Sequence, residues 1–430
     1  MDTAIVVFTR DLRLHDNPAL YQACAQARQV VPLFVSDPAI AAPPNRARFL
    51  AESLADLRAS LRERGADLVL RRGDPAAEVI RLAGAVHATA VYIADDVSHY
   101  ATARRLKLER ECARHRIELT LTPGLTVVPP GELTPAGGGH YRVFTPYWRA
   151  WRVAAWRKHC PVPPHIQLPP IETIGRLPAK ATASPGLAPG GESAGRKRFV
   201  SWRQRLLAGY GENHDDLAGD ATSRLSAYLR FGCVSPLEVA LGALDRPGGE
   251  EYGRQLAWRD FFYQVTAAFP DIARKSCRPG AAWHEDRRAL DAWREGQTGI
   301  PIVDAGMRQL AAEGFMHNRA RMVTASFLTR NLGIDWRHGY AHFDSLLADG
   351  DVANNAGNWQ WVAGTGHNTR PNRVMNPLRQ ARRFDRSGEY VRRYLPELAG
   401  LDPASIQTPW RLPAAQRVRL GYPGPLVELA

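Results

Sequence analysis

TAIVVFTRDLRLHDNPALYQACAQARQVVPLFV, residues 3–35, holds two short apolar runs, TAIVVFT and VVPLFV, with a change of period between them. The alternation continues through DLVLRR (67–72), AVYIAD (90–95) and ELTLT (118–122). Between these runs, stretches such as RARFLAESLADLRASLRERG (46–65) repeat their apolar residues at helical spacing. Strands alternating with helices predict an α/β domain over residues 1–125, built on a doubly wound five-stranded parallel sheet. Sheets of this kind bind ligands beyond the carboxyl ends of their strands. The loop after the first run reads TRDLRLHDNPAL and lacks a G-x-G-x-x-G, which argues against an ordinary dinucleotide-dependent enzyme.

Outward from that domain the composition shifts. Residues 161–196 run from PVPPHIQLPP to PGLAPGGESAGR, rich in Pro and Gly and poor in periodicity, so 126–198 is expected to be a long interdomain linker. From about 199 to 430 the pattern is helical and predicts an all-α domain. The 430 residues are 45% apolar and 23% charged, ordinary globular values that exclude disorder. No run approaches the ~20 apolar residues of a membrane span, and the first residues, MDTAIVVFTR, do not read as a secretory leader. Five scattered cysteines without a C-x-x-C indicate neither a disulfide framework nor a zinc site, and point to a reducing, cytoplasmic compartment. With 56 Lys and Arg against 43 Asp and Glu, the net charge of +13 points to a polyanionic partner such as nucleic acid.

Four segments carry chemistry. Thr222-Ser223-Arg224 is expected to open a helix, where hydroxyls, free N–H groups and a guanidinium could hold a phosphate; a plain N-cap is the alternative. Gln255 and Trp258 lie three apart, so an amide and a flat aromatic share a helical face. Asn318 and Met322 stand one turn apart, with Arg319 and Arg321 between them on other faces, and His317 reads as structural. Asp349 and Asp351 open the polar run DGDVANNAGN, which leads into Trp359 and Trp361; hydrogen bonds to a ligand and pairing with Arg321 are preferred there to a metal. All eleven tryptophans follow residue 147, and eight of them lie in the helical part.

FTRDLRLHDNPAL, TSRLSAYLRFG, LAWRDFF, TGIPIVDAGMRQL, GFMHNRARM and DGDVANNAGNWQWVAGTG occur in this order along nearly the whole chain, and together they resemble the signature segments of the photolyase/cryptochrome family. The likeness is greatest to bacterial class I photolyases of cyclobutane pyrimidine dimers. It implies a carbon–carbon lyase in which excited, fully reduced anionic FAD donates an electron to the dimer, the inter-base bonds split and the electron returns. The family pattern assigns Tyr210, Thr222, Ser223, Arg224, Leu225 and Ser226 to the flavin's phosphates and adenine. Asp349, Asp351 and Arg321 match residues near its ribityl and ring edge, and Asn355 matches the residue at flavin N5, where an amide offers no ionisable proton. Gln255, Trp258, Asn318, Arg319, Met322 and Trp361 match the lesion pocket, and Arg373 matches a DNA-backbone contact. Trp359, Trp336 and Trp283 match an electron-transfer chain, with Trp283 rather than Trp293 as its outer member.

Gln255 stands where typical dimer photolyases carry Glu; the same Gln occurs in (6-4) photolyases, whose acid–base chemistry needs a histidine pair where this chain has Asn318 and Met322. A cyclobutane-dimer enzyme is therefore expected, with (6-4) repair or a cryptochrome-type blue-light receptor as alternatives. A second chromophore is expected to be an 8-hydroxy-deazaflavin, because Arg46 matches that binding type. The Asn-Glu pair of a methenyltetrahydrofolate site is absent at Tyr100 and Ala101. The expected partner is DNA containing pyrimidine dimers, duplex or single-stranded, bound by a monomer with no membrane association.

Overall fold

The computed structural model describes residues 1–40, 42–280, 282–367 and 369–428. Five parallel strands, β1 (Thr3–Phe8), β2 (Gln29–Ser36), β3 (Val69–Arg72), β4 (Ala90–Ala94) and β5 (Glu118–Thr122), stand in the order β3-β2-β1-β4-β5. Ile5 pairs with Val31 on one side and Val91 on the other. Helices α1 (Pro18–Gln26), α2 (Pro44–Arg62), α3 (Pro75–Val86) and α4 (His99–Arg114) alternate with the strands. Ile5, Val7, Val31, Leu33, Val91 and Ile93 face α3 and α4, through Val79, Leu82 and Leu108. On the opposite face Tyr92 donates to Gln26 Oε1 of α1 at 2.6 Å. Burial on both faces explains why β1 is apolar at nearly every position instead of alternating. The chain order reverses at β1, which makes the carboxyl ends of β1 and β4 the switch point of the sheet.

The remaining helices are α5 (Phe144–Val153), α6 (Glu192–Arg205), α7 (Tyr210–Asn213), α8 (Ser226–Phe231), α9 (Pro236–Ala243), α10 (Gly249–Ala268), α11 (Arg287–Glu295), α12 (Pro301–Glu313), α13 (Asn318–Ser326), α14 (Trp336–Leu346), α15 (Val352–Ala363), α16 (Pro377–Phe384), α17 (Glu389–Tyr394) and α18 (Ala414–Leu420). The chain forms two compact units. One contains Met1–Thr182, Ala188–Ala208 and Ser223–Asp271; the other contains Ala183–Leu187, Gly209–Thr222 and Ile272–Ala430. Helices α8, α9 and α10, read from sequence with the helical part, thus cluster with the sheet. The reason is local: Leu12 donates to the Phe231 carbonyl, and buried Arg13 donates to that of Gly232 at 3.0 Å. Gly232 ends α8 with φ +66°, and a Cβ there would lie 1.9 Å from the Arg10 carbonyl oxygen.

The stretch expected to be linker carries structure of its own. Helix α5 lies within it, and α6 starts at Glu192; α6 exposes so many basic residues that its apolar stripe, Phe199 and Trp202, gives little periodicity. The Pro-rich stretch itself is tied to the sheet unit. Ile166 donates to Arg64, Val30 to Gln167 and Leu70 to Ile174, all through backbone at 2.7–2.8 Å. Residues 127–153 form a strap clamped to α10. Asp260, fully buried, accepts from Val127 N at 2.9 Å, Val128 N at 3.1 Å and Trp151 Nε1 at 2.9 Å. One turn on, Gln264 accepts from Tyr141 N and donates to its carbonyl, at 3.0 and 2.8 Å. In the second unit a single core runs through α11–α17, with Trp293, Trp336 and Phe327 fully buried.

Two outcomes follow from this packing. Gly232→Ala forces a side chain into left-handed backbone and against a carbonyl, so the urea unfolding midpoint should fall by an amount corresponding to at least about 2 kcal/mol. Burial pushes the Asp260 carboxyl up to about 6, although Arg259 and its three N–H donors act the other way. The folded state therefore holds this proton more tightly than the unfolded chain does, and this contribution to stability is lost as pH rises from about 4 through about 6. Asp260→Asn should remove that part of the decline, read as a smaller difference in urea midpoint between pH 4.5 and pH 7.

Candidate active site

In the sheet unit, α10 places Gln255 and Trp258 on one face, Gln255 exposed and Trp258 half-buried. The Trp258 indole lies flat on Phe144 of the strap, with ring centroids 3.7 Å apart and planes 7° apart, while Phe261 meets its edge at 5.5 Å. One face of the indole is thereby covered and its orientation set. The clamp at Asp260 and Gln264 holds Phe144 in place beneath it. Nothing in the sequence marked Phe144, because this contact joins α5 to α10 across more than a hundred residues.

The Thr222-Ser223-Arg224 segment does not open a helix, contrary to expectation. Helix α8 starts only at Ser226, and Arg224 has φ +52°, a left-handed conformation that no right-handed helix can include. The segment is instead an irregular turn. Its Ser223 Oγ accepts from Tyr252 Oη at 3.1 Å, and its Ser223 carbonyl accepts from Arg198 Nε at 2.9 Å. Leu225 is buried beside it and Ser226 is the first residue of α8. Arg46 is buried on α2. Near the sheet's switch point, Tyr100 donates to Asp37 at 2.5 Å, with the Arg104 guanidinium over its ring.

In the second unit Tyr210 is buried, with its ring against His214 at 5.1 Å; Thr222 ends this unit's short segment. His317 caps α13: its Nδ1 accepts from Arg319 N at 3.1 Å, and its own N–H donates to Gln309 Oε1 at 3.0 Å. It is structural, as the sequence suggests. Asn318 and Met322 share a face of α13, with Asn318 Nδ2 3.9 Å from Met322 Sδ. Arg321 forms a fork with Asp349, Nη1 to Oδ1 at 3.1 Å and Nη2 to Oδ2 at 2.8 Å, while its Nε donates to the Met316 carbonyl at 2.8 Å. Arg319 forms a second fork with Asp215, a residue the sequence reading passed over.

Asp351 caps α15 by accepting from Asn354 N at 2.9 Å, which explains why so polar a run can begin a buried helix. Asn355 Nδ2 donates to the Tyr340 carbonyl at 3.4 Å. A carbonyl only accepts, so the amide nitrogen is directed at Tyr340 and the amide oxygen is left to accept from another donor. Trp359 is buried, with Phe343 at 4.9 Å and Trp293 at 6.1 Å, each meeting it edge to face. Gly339 lets this indole in, since a Cβ there would lie 2.1 Å from its Cη2. Trp336 is fully buried and donates to Ser276 Oγ at 3.3 Å. Trp283 packs on the same core half-exposed, whereas Trp293 is shut off from solvent and donates to the Thr324 carbonyl. Two positions past Trp359, Trp361 lines a cavity of about 290 Å³ with Arg370 and Arg373.

Known proteins share both the sequence and the fold. The family model described as DNA photolyase matches residues 4–166, and the model for the FAD binding domain of DNA photolyase matches residues 252–430. A deoxyribodipyrimidine photo-lyase of Streptomyces griseus is 49% identical over 442 residues, covering 100% of this chain and 97% of the relative. A cryptochrome DASH of Gloeobacter violaceus is 37% identical, covering 99% and 93%. Among solved structures, a bacterial class III photolyase from Agrobacterium tumefaciens superposes with a TM-score of 0.94 at 32% identity, over 100% of this chain and 95% of that one. Likeness at this level over full length leaves one assignment: the chain belongs to the photolyase/cryptochrome family.

Proposed function

We propose that this protein repairs cyclobutane pyrimidine dimers in DNA with light, using reduced FAD held in the anionic state. The observation that carries the choice of lesion is the face of α13. It presents Asn318 and Met322, neither of which titrates, and the neighbouring His317 is buried with its Nδ1 engaged as a helix cap. Acid–base chemistry of the kind a (6-4) lesion requires has no histidine to run it there. Splitting a cyclobutane ring needs only an electron and its return.

The donor set fits FAD. Hydroxyls of Thr222, Ser223 and Ser226 with the Arg224 guanidinium suit a pyrophosphate, with Tyr210 and Leu225 beside the adenine. The strained backbone at Arg224 is the kind of outlier that binding sites retain. In the second unit, Asp349 and Asp351 suit the ribityl chain and ring edge, and Arg321 orients Asp349 through its fork. The free Asn355 oxygen suits a ring N–H, and an amide cannot supply the proton that would neutralise an anion. When bound, FAD supplies the photoexcited electron. Trp258 and Trp361 offer apolar walls to the extruded bases, and Gln255 donates a hydrogen bond to a base carbonyl. Arg319 belongs to the lesion side of the pocket, and Arg373 serves the DNA backbone. Trp359, Trp336 and half-exposed Trp283 form the route by which the surface recharges the cofactor.

In this reading residues 1–125 are the antenna domain, 126–198 the connector and 199–430 the flavin domain. Arg46 supports an 8-hydroxy-deazaflavin over methenyltetrahydrofolate as second chromophore. The protein works as a cytoplasmic monomer on duplex or single-stranded DNA. Among the described residues no helix is long and apolar enough to cross a membrane.

The deciding experiment mixes dithionite-reduced protein with synthetic duplexes carrying one cyclobutane dimer or one (6-4) product, under blue or near-UV light. Restoration of the cyclobutane dimer alone is expected. Restoration of the (6-4) product would overturn the lesion assignment, and restoration of neither would favour a blue-light receptor. Trp359→Phe should slow light-driven reduction of oxidised enzyme by more than roughly tenfold, over about 1.4 kcal/mol of barrier, while repair by pre-reduced enzyme stays near wild type. Loss of both would remove Trp359 from the recharging route.

A further inference from the structure

Arg319 is not a bare cation. Asp215, between α7 and Thr222 in the same unit, takes two of its donors side-on: Nε lies 3.2 Å from Oδ1 and Nη2 lies 2.6 Å from Oδ2. The guanidinium also rests on the Phe384 ring at 4.4 Å, and Arg383 of α16 lies over the same ring at 5.0 Å. Both members of the pair remain partly open to solvent, Arg319 at 16% and Asp215 at 24%. The side-on fork leaves the Nη1 edge outside the pairing, and the ring beneath allows it few orientations. His214 Nε2, 3.7 Å from Asp215, is the other group close to this carboxylate.

The electrostatic consequence depends on distance. At physiological salt, fields decay over about 8–10 Å. Seen from farther than that, Arg319 and Asp215 sum to no charge and do not draw in a passing duplex. At contact the outward Nη1 edge is still a strong, directed donor to a phosphate oxygen. The other arginines nearby follow a different pattern, with Arg379, Arg382 and Arg383 on α16 accompanied by no acid within that helix.

We propose that Asp215 is a specificity-determining residue for DNA. It cancels the long-range pull of Arg319 on undamaged duplex and holds the guanidinium in the single orientation in which a lesion-bearing backbone, docked in register, receives its Nη1. The proposal rests on the DNA-repair reading above. Asp215 is a positioning residue that acts through Arg319 and not on the reacting bases.

The test measures dark binding of a labelled undamaged duplex, and of the same duplex with one cyclobutane dimer, across 50–200 mM NaCl. Asp215→Asn should tighten binding of the undamaged duplex several-fold and lower the ratio of lesion to undamaged affinity. It should also steepen the slope of log K against log salt by about 0.9, the signature of one more neutralised phosphate. The extra slope corresponds to about a 3.5-fold larger loss of affinity across that salt range. Asp215→Glu should restore the wild-type slope. The double variant Asp215→Asn, Arg319→Gln has the same net charge as wild type, so it should return the slope on undamaged duplex while the preference for the lesion stays low. An unchanged slope in Asp215→Asn, or parallel weakening on both duplexes, would overturn the proposal. Wild-type protein that binds both duplexes equally would overturn the repair reading and leave the charge effect on undamaged DNA standing, whereas wild-type protein that binds neither would overturn both.

Discussion

A charged group taken out of water must be given its hydrogen bonds by the chain itself, and much of this architecture is arranged around meeting that demand. Asp260 receives three N–H donors from a strap more than a hundred residues away in sequence. That requirement fixes the strap on α10, the strap carries Phe144, and Phe144 fixes the plane of Trp258. Arg13, fully buried behind β1, spends its donors on carbonyls of His15, Asp16, Gly124 and Gly232, which ties the first loop to the end of α8. In the second unit the fork between Arg321 and Asp349 joins α13 to the turn before α15, tying the helix of Asn318 to the start of the helix of Asn355.

The same accounting changes how the net charge of +13 should be understood. Arg58 and Arg62 share Asp67, Arg157 is held by Asp16, and Arg319 and Arg321 each have a dedicated carboxylate. These cations organise the fold and the site more than they attract a polyanion. By contrast, α16 carries Arg379, Arg382 and Arg383 with no acid within the helix, and Arg373 is exposed.

Some of this was plain from residues alone. Short apolar runs alternating with stretches of helical spacing announced a parallel sheet, because parallel strands need crossover helices between them. The helical spacing of Gln255 with Trp258, and of Asn318 with Met322, put each pair on one face because α-helix geometry is local. The cap that His317 provides to α13 fits its reading as a structural residue, and the pairing of Arg321 with Asp349 was legible. The turn at 222–225 was misread as a helix start, because hydroxyl residues favour caps and turns alike, and only the positive φ of Arg224 separates the two. Helix α6 was partly hidden because a helix that buries little besides Phe199 and Trp202 leaves almost no periodic trace.

The chain's residue order by itself determined the alternating architecture of the first domain, the family segments and the local faces of single helices, all of which depend on spacings of a few residues. Tertiary structure alone decided that Phe144 underlies Trp258, that Gly339 admits Trp359, that Trp293 is sealed from solvent while Trp283 is not, and that Asp215 neutralises Arg319. Each of these is a contact between elements distant in sequence, set by packing and by the need to satisfy buried charge, and neither requirement leaves a period that a linear reading can detect.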